Sequence, residues 1–312
     1  MKISVIIPTY NRANLLPEMI RSLYRQSYGY VEIVVVDDGS TDDTAAVLDR
    51  LQHEERVTGV DLRYFKQLNQ GASAARNEGI RRATGDCILF ADSDDSLYKN
   101  GIASGMAKMT TGNYDFIYLP VHKVDNCGGA YSKTLLGHFY NGSDATLLDY
   151  NWHTMGAIYT RQFLDRVGGW NECVRTSDDW EFQVRVKLLK AQSLFVNVPI
   201  GVWNIHAGPR LSATVYQSSY VADVLSVCDS IRDHCLRAGR FSATVKARLF
   251  RRLIRHALEA GAHGDEHMRS QIMSASQPLA GGGVSRMIAA TLRLAPWRWS
   301  DQLLYRIVRR LF

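Results

Sequence analysis

Short apolar runs that alternate with helical patterns constrain the fold of this chain more than any other feature. The predicted strands cover residues 3–7, 31–36, 61–65 and 87–91. The helical patterns between them cover residues 15–26, 44–51 and 72–82. Three of the strands are almost wholly apolar, which is typical of strands buried on both faces of a sheet. The alternation predicts an α/β fold with a mostly parallel central sheet and flanking helices.

Polar clusters follow three of these strands, over residues 8–12, 37–40 and 92–95. The carboxyl ends of parallel strands meet at one edge of a sheet, and ligands bind in the crevice beyond that edge. We therefore expect the three clusters to converge on one binding site.

The chain beyond residue 96 has a more mixed pattern. It predicts a strand over 116–121, a Gly-rich loop over 125–137, a helix over 180–189 and an extended segment over 193–198. From Tyr220 onward the pattern is almost wholly helical, with breaks at Gly239 and at 261–264, 278–283 and Pro296.

The triplet Asp92-Ser93-Asp94 places two carboxylates on a tight turn at a strand end. Hard divalent cations such as Mg²⁺ or Mn²⁺ prefer oxygen ligands and share them with phosphates. A metal here would neutralise a leaving diphosphate. The alternative is a capping cluster at a helix start, because Asp and Ser are good N-caps. The position beside two similar strand ends favours the metal–diphosphate site.

Four segments in order, residues 5–12, 36–42, 69–77 and 92–95, resemble the motifs of the family 2 inverting glycosyltransferases of GT-A fold. The resemblance covers roughly residues 1–215 and leaves the C-terminal hundred residues outside. It implies a GT-A catalytic domain over 1–215, followed by a basic α-helical region over 216–312. The nucleotide-sugar-binding half would be 1–96 and the acceptor-binding half 97–215.

The resemblance also implies which residues contact the donor, expected to be a UDP-sugar. Thr9 and Tyr10 would flank the base, Asp38 would accept a hydrogen bond from the base imide, and Asp92 would contact the ribose or donor sugar. The full implied set is Pro8, Thr9, Tyr10, Asp38, Asn69, Gly71, Arg76, Asp92 and Ser93, with Asn69, Gly71 and Arg76 along the base and ribose. An alternative for Arg76 is a salt bridge to a sheet-end aspartate such as Asp38.

An inverting transfer needs a carboxylate that takes the proton of the acceptor hydroxyl. In the family this base is the second acid of a pair that opens a helix, which implies Asp179 here, with Asp178 and Trp180 binding the acceptor. The first acid is Asp rather than the commoner Glu. The alternative is an N-cap in which Ser177, Asp178 and Asp179 satisfy the helix start. Trp180 would either stack on an acceptor sugar or lie in the core.

The implied cofactor is Mn²⁺ or Mg²⁺, with Asp94 and His206 as metal ligands. His206 falls where some members of the family place a metal-binding or diphosphate-binding histidine. A structural role for this histidine is the alternative.

The last hundred residues, 213–312, hold 15 Lys and Arg against 7 Asp and Glu. Segment 296–312 is cationic and aromatic, with apolar residues at helical spacing, which is typical of a helix in the interface of an anionic membrane. Such a helix would bring the site to a lipid-linked acceptor. Packing on the catalytic domain and a homodimer contact are the alternatives. No nucleic-acid motif accompanies the basic residues, so nucleic acid is not an expected partner.

The five cysteines are odd in number and have no zinc spacing. No signal peptide pattern opens the sequence, and no stretch reaches the roughly 18 apolar residues of a spanning helix. We therefore expect a cytoplasmic protein, peripheral on the inner face of the plasma membrane if segment 296–312 binds lipid.

Taken together, the residues and the resemblance predict a metal-dependent inverting hexosyltransferase. It would act on a saccharide or lipid-linked acceptor in bacterial surface polysaccharide or glycolipid synthesis. A sugar nucleotidyltransferase is one alternative, but residues 8–12 lack the Gly-rich basic loop that usually opens that class. A degenerate transferase kept as a scaffold in a membrane complex is another, and the intact Asp94 and Asp179 argue against it.

Overall fold

A computed structural model describes residues 1–53, 59–125, 133–136, 142–205 and 220–280 of the 312-residue chain. The chain divides into two compact units. The first unit comprises Met1–Asn141 and Tyr150–Gly208, and the second unit comprises Gly142–Asp149 and Pro209–Phe312. The predicted domain boundary at residue 215 stays a prediction.

The first unit holds the strands and most of the shorter helices. Its strands are β1 (Ile3–Thr9), β2 (Val31–Asp37), β3 (Val60–Lys66), β4 (Cys87–Phe90), β5 (Ser96–Leu97), β6 (Phe116–Tyr118), β7 (Val121–Asp125), β8 (Lys133–Leu136), β9 (Ala157–Thr160), β10 (Ser193–Phe195) and β11 (Gly201–Ile205). Its helices are α1 (Leu16–Tyr24), α2 (Thr44–His53), α3 (Ala72–Arg82), α4 (Gly101–Met109), α6 (Arg161–Val167) and α7 (Asp178–Leu188). A 3₁₀ turn covers Thr154–Gly156.

The larger sheet has seven strands in the order β10-β6-β9-β4-β1-β2-β3. Strands β3, β2, β1 and β4 run parallel, which confirms the predicted parallel sheet, and every residue of β1 and β2 is buried. Strand β9 is antiparallel to both β4 and β6. A smaller sheet has the order β5-β11-β7-β8.

Two of the predictions for the middle of the chain were wrong. The strand predicted over 116–121 is divided into β6 and β7, which lie in different sheets. Pro120 lies at the break, and proline has no backbone N–H to donate to a strand ladder. The segment predicted as a loop, 125–137, contains β8, which pairs with β7.

The second unit is helical, as predicted from Tyr220 onward. Its helices are α5 (Asp144–Leu147), α8 (Tyr220–Arg237), α9 (Ala243–Ala262) and α10 (Glu266–Ser276). Gly239 and Gly264 follow α8 and α9 with φ of 65° and 80°, values that glycine adopts without steric cost. Within the described parts of the chain, no helix is long and apolar enough to cross a membrane. Segment 296–312 lies outside the described residues.

Candidate active site

The polar clusters that follow β1 and β2 lie side by side, because the two strands pair in parallel along their length. The backbone N–H of Asp38 donates to the carbonyl of Thr9 at 2.8 Å. Asn11 joins the clusters again: its N–H donates to Ser40 Oγ at 2.8 Å, and its Oδ1 accepts from Thr41 N at 2.8 Å. The two strand ends therefore form one continuous surface at the edge of the sheet.

Asp38 fixes the loop that precedes α3. Its Oδ1 accepts from Gln67 Nε2 and Gln70 N, and its Oδ2 accepts from Gly71 N, each at 2.8 Å. A carboxylate has about four lone-pair positions, and donors from the described residues occupy three of them on Asp38. Gly71 has φ of 95°, which a residue with a side chain rarely adopts.

The residues implied as donor contacts differ in exposure. Tyr10 is 48% exposed and Asn69 lies on the surface, whereas Pro8, Thr9 and Ser93 are buried. In the described part of the chain, the buried Thr9 Oγ1 has no hydrogen-bond partner. Its hydroxyl can therefore bond a ligand without giving up a protein contact.

Arg76 joins the end of β4 to the start of α7. Its Nη2 lies 2.8 Å from Asp92 Oδ1, and its Nη1 lies 2.7 Å from Asp178 Oδ2. The guanidinium also stacks on Trp170, 4.4 Å from the ring centroid. The sheet-end aspartate that Arg76 pairs with is thus Asp92, not Asp38. Arg76 is 6% exposed, and a buried guanidinium that serves two carboxylates and an aromatic face has no equivalent in lysine.

Residues 92–95 form a turn that leads into β5, and no helix starts there. The helix-cap alternative for Asp92-Ser93-Asp94 is therefore not supported. Asp94 approaches Arg12 at 3.9 Å. Asp95 is 1% exposed, and its Oδ1 accepts from Asn204 N at 3.1 Å.

Asp92, Asp95 and His153 each offer a ligand atom, and the three atoms lie within 4.8 Å of one another. Burial, followed by the charges of Asp92 and Asp94, raises the pKa of Asp95 well above its ordinary value. Burial lowers the pKa of His153, which favours the neutral imidazole that binds metals. Asp95 Oδ2 lies 4.0 Å from His153 Nδ1 and accepts no hydrogen bond from the described residues.

The two acids and the neutral His153 imidazole are ligands that suit a divalent cation, and Asp95 Oδ2 accepts no hydrogen bond from the described residues that such a cation would have to replace. The implied ligand Asp94 lies on the same turn as this set, and His206 lies outside the described residues. Sequence reasoning did not assign Asp95 or His153. Asp95 was within a recognised motif without a role of its own, and His153 lies in a segment with no periodic pattern.

Asp178 and Asp179 begin α7. The preceding Ser177 has φ of 56° and makes no side-chain cap hydrogen bond to the helix. The N-cap alternative therefore fails for Ser177, whereas Asp178 and Asp179 do lie in the first turn, as that alternative predicts. A non-glycine residue at positive φ is uncommon, and such conformations cluster at functional sites. Asp178 Oδ2 accepts from Arg76 and also from Ser73 Oγ at 3.1 Å.

The carboxyl of Asp179 is less ready to ionise than an ordinary aspartate. Burial, followed by the charge of Asp178, raises the pKa of Asp179 to about 6. Hydrogen bonds from the Tyr150 hydroxyl and from Trp180 N, the latter 2.7 Å from Oδ1, act in the opposite direction, as does the charge of Arg76. A carboxylate with this pKa is a stronger base than an ordinary aspartate and is still mostly ionised at neutral pH.

Trp180 is 3% exposed, which favours the core alternative over stacking on an acceptor sugar. Trp170 contacts the site through Arg76. Its ring stacks on Phe182 with centroids 4.4 Å apart and an interplanar angle of 8°, and it also contacts the Arg76 guanidinium and Phe90. The Trp170 ring thus packs against Arg76, which pairs with Asp92 and Asp178.

The sequence model described as glycosyl transferase family 2 matches residues 4–168, more than half of the 312 residues. This chain belongs to glycosyl transferase family 2. The motifs that carried the resemblance all lie within the matched residues.

Curated relatives are similar over part of their length. An uncharacterized glycosyltransferase of Rickettsia felis is 39% identical over 142 residues, which are 46% of this chain and 23% of the relative. The GalNAc(5)-diNAcBac-PP-undecaprenol beta-1,3-glucosyltransferase of Campylobacter jejuni is 37% identical over 113 residues, 36% of this chain and 35% of the relative. The chain thus spans no more than about a third of the length of these relatives.

Solved structures match over most of the chain. S. aureus TarS 1-349 in complex with UDP-GlcNAc has a TM-score of 0.71 and 20% identity, covering 90% of this chain and 81% of the TarS 1-349 chain. Mannosyltransferase PcManGT from Pyrobaculum calidifontis, in complex with GDP-Man and Mn²⁺, has a TM-score of 0.55 and 17% identity, covering 99% and 84%. These likenesses confirm the predicted GT-A fold with additional C-terminal helices.

Proposed function

We propose that this family 2 protein transfers a sugar, with inversion, from a UDP-sugar to a saccharide or lipid-linked acceptor. The observation that carries the proposal is the Arg76 bridge. It joins Asp92, on the donor-side turn, to Asp178, the neighbour of Asp179. A leaving-group site and a candidate base therefore lie on either side of one guanidinium.

Asp179 acts as the base. Its carboxylate takes the proton of the acceptor hydroxyl while the hydroxyl oxygen attacks the anomeric carbon opposite the nucleoside diphosphate. The bond from carbon to the acceptor oxygen forms as the bond to the diphosphate breaks. An α-linked donor therefore gives a β-linked product. Asp178 remains paired with Arg76, so Asp179 is the acid of the pair that is available for proton transfer.

The turn over residues 92–95 is the proposed site of Mn²⁺ or Mg²⁺. Such an ion, when bound, neutralises charge on the leaving diphosphate. Asp94 and His206 are the ligands implied by the resemblance, and Asp92, Asp95 and His153 offer a second set. The unfilled Asp95 Oδ2 fits a cation ligand, and the Mn²⁺ complex of PcManGT supports the choice of metal.

A uridine donor is supported by the UDP-GlcNAc complex of TarS. The remaining acceptor position of Asp38 suits an imide N–H, and the exposed Tyr10 ring suits a base face. Asn69 and Gly71 complete this side of the site next to Asp38.

The name of the Campylobacter relative, which specifies an undecaprenol-linked substrate, supports a lipid-linked acceptor. We extend the proposal to the cytoplasmic face of the plasma membrane, where the basic segment 296–312 would contact anionic lipid. A homodimer contact through the same segment is the alternative.

The proposal is tested by measuring UDP or GDP release from UDP-glucose, UDP-galactose, UDP-GlcNAc and GDP-mannose, with Mn²⁺ and with EDTA. We expect release from at least one UDP-sugar, stimulated by Mn²⁺ and lost in EDTA. No release from any donor in either condition would contradict glycosyl transfer. Release that EDTA leaves unchanged would contradict only the proposed metal dependence. Release only from GDP-mannose would contradict only the proposed uridine donor.

A further inference from the structure

Asn77 follows Arg76 on α3, and its side chain holds a loop that is distant in the sequence. Its Oδ1 accepts from Trp170 N at 2.7 Å, and its Nδ2 donates to the Trp170 carbonyl at 2.9 Å. Nδ2 also donates to Glu172 Oε1 at 2.7 Å. An asparagine amide has two N–H donors and one carbonyl oxygen. Both donors and the oxygen of Asn77 therefore bind the loop between α6 and α7.

The loop can approach Asn77 closely because residue 169 is a glycine. Gly169 has φ of 70°, a conformation that residues with a side chain rarely adopt. A Cβ atom at this position would lie 2.8 Å from Asn77 Oδ1, which is too close for a carbon and an amide oxygen. The missing side chain thus lets the Trp170 backbone reach the amide.

The indole of Trp170 lies against the guanidinium of Arg76, with the guanidinium carbon 4.4 Å from the ring centroid. Phe182 and Phe90 pack on the same indole, Phe90 edge-on with centroids 5.1 Å apart and an interplanar angle of 86°. Trp170 is 5% exposed. Two consecutive residues of α3 therefore contact one tryptophan, Asn77 through its backbone and Arg76 through its ring.

The orientation of the Arg76 guanidinium matters because it binds two carboxylates at once. Nη1 lies 2.7 Å from Asp178 Oδ2, and Nη2 lies 2.8 Å from Asp92 Oδ1. The guanidinium is planar and its N–H groups point in fixed directions, so a rotated group would lose one carboxylate or both. An aromatic ring packed against a cation restricts such rotation and adds a favourable cation–π contact.

We propose that Asn77 is a positioning residue for glycosyl transfer. Its amide holds the Trp170 backbone so that the indole stays against Arg76. The indole in turn keeps the guanidinium in the orientation that joins Asp92 to Asp178. This inference rests on the proposed function, in which Asp92 lies on the donor side and Asp178 precedes the base.

The first test compares the turnover of Asn77→Ala with that of wild type, using the donor that is active in the screen. A displaced guanidinium misplaces carboxylates on both sides of the reacting atoms, so we expect turnover to fall on the order of 10-fold.

Gln26→Ala is the matched control for this test. Gln26 is also half-buried, and its amide also makes three hydrogen bonds, to the Ser22 and Tyr98 carbonyls and from Ile102 N. None of these three partners is a candidate site residue, so we expect Gln26→Ala to keep the wild-type turnover. Equal losses in Gln26→Ala and Asn77→Ala would indicate a general effect of a lost amide and would overturn the proposal.

Conservative replacement of Trp170 separates positioning from a general loss of packing. Trp170→Phe keeps the backbone that Asn77 holds and an aromatic face for the guanidinium, whereas Trp170→Leu keeps the backbone and removes the face. We expect Trp170→Leu to lose as much turnover as Asn77→Ala, and Trp170→Phe to lose less. Equal turnover in the two Trp170 variants would contradict the role of the aromatic face.

The contact between Trp170 and Arg76 can also be measured without turnover. An aromatic ring shifts the resonances of protons that pack against its face. The ¹H–¹⁵N resonance of the buried Arg76 Nε, identified by its loss in Arg76→Lys, therefore reports the position of the guanidinium. In Asn77→Ala this resonance should move toward its position in Trp170→Leu, and in Gln26→Ala it should stay at the wild-type position.

The resonance and the turnover together separate this inference from the proposed function. An unchanged Arg76 resonance in Asn77→Ala would refute the positioning role, even if the wild type transfers sugar. A shifted resonance, with no turnover of any donor by the wild type, would contradict the proposed function and support the hold of Asn77 on Arg76.

Discussion

Asp178 and Asp179 are neighbours in the chain, but the structure gives their carboxylates different surroundings. Asp178 is paired with Arg76 and Ser73. Asp179 Oδ1 accepts a hydrogen bond from Trp180 N at 2.7 Å, and burial and the charge of Asp178 destabilise its anion. One acid is therefore structural and the other is suited to accept a proton.

The pKa of Asp179 predicts the pH dependence of transfer. A base must be deprotonated, and burial with the Asp178 charge raises this pKa to about 6. We therefore expect the wild-type turnover to be constant above pH ~7 and to fall about tenfold per unit below pH ~6. The measurement is a pH profile of turnover at saturating substrates. A plateau that continues down to about pH 4, the ordinary range for Asp, would contradict the environment described for Asp179.

Among the candidate site residues, the sequence pointed to those that belong to recognisable motifs. Asp92 was recognised because it follows a buried strand, whereas the roles of Asp178 and Asp179 were implied by the resemblance to the family's motif. Tyr150 and His153 could not be found in this way, because they lie in an irregular segment with no periodic pattern. Their proximity to the site depends on hydrogen bonds between residues 150–152 and α7, which no local pattern encodes.

Among the elements, β2 combines complete burial with a charged side chain. Glu32 is 0% exposed. It accepts from Thr84 N at 2.7 Å, Thr84 Oγ1 at 2.9 Å, Arg63 Nη1 at 2.8 Å and Ser4 Oγ. Burial alone would raise the pKa of Glu32, but these donors outweigh it and lower the pKa to about 2. The carboxylate thus joins β1, β2, β3 and the segment before β4.

Replacing Glu32 by Gln should lower the free energy of unfolding by about 2–4 kcal/mol at neutral pH, since buried donors lose a charged acceptor. The folded-state pKa is depressed, so this stabilisation is present above the unfolded pKa of about 4.5 and is lost as the pH falls toward 2. The difference between wild type and variant should therefore be about 1 kcal/mol smaller near pH ~3.5. Urea unfolding at both pH values measures it.

Glu18→Gln is the control for that experiment. Glu18 pairs with Arg25 at 2.7 Å, but the side chains are 62% and 56% exposed, and exposed pairs contribute at most about 1 kcal/mol. Equal losses for the two variants, or a Glu32→Gln loss that does not depend on pH, would contradict the role given to the buried carboxylate.

Helices and strands with a strong hydrophobic pattern were predicted from the sequence, whereas short strands with a weak pattern were not. Strands β1, β2 and β4 are almost wholly apolar, and α1 has buried Leu16, Met19, Ile20 and Leu23 at helical spacing. Strands β9 and β11 have four and five residues, too short for a distinct period. Their place in the two sheets depends on pairing with partners far along the chain.

For the whole molecule, the decisive contacts join distant parts of the sequence. Arg76 and Asp178 are 102 residues apart, and the first unit brings them together by packing Ala75 of α3 and Phe182 of α7 into one core cluster. The hydrophobic pattern predicted the sheet and the edge at which the polar clusters after β1 and β2 meet. It could not predict the Arg76 bridge, because a pairing between two polar residues leaves no periodic signal.

The central claim is that Asp179 is the base of a family 2 glycosyl transfer, and the most direct test is the rate of Asp179→Asn. Sugar transfer should fall by about 10²–10⁴-fold, while the dissociation constant for the donor, measured by calorimetry, stays within about twofold of wild type. Asp165→Asn, a change at an exposed acid of α6, should keep the wild-type rate. Undiminished transfer by Asp179→Asn would contradict the account.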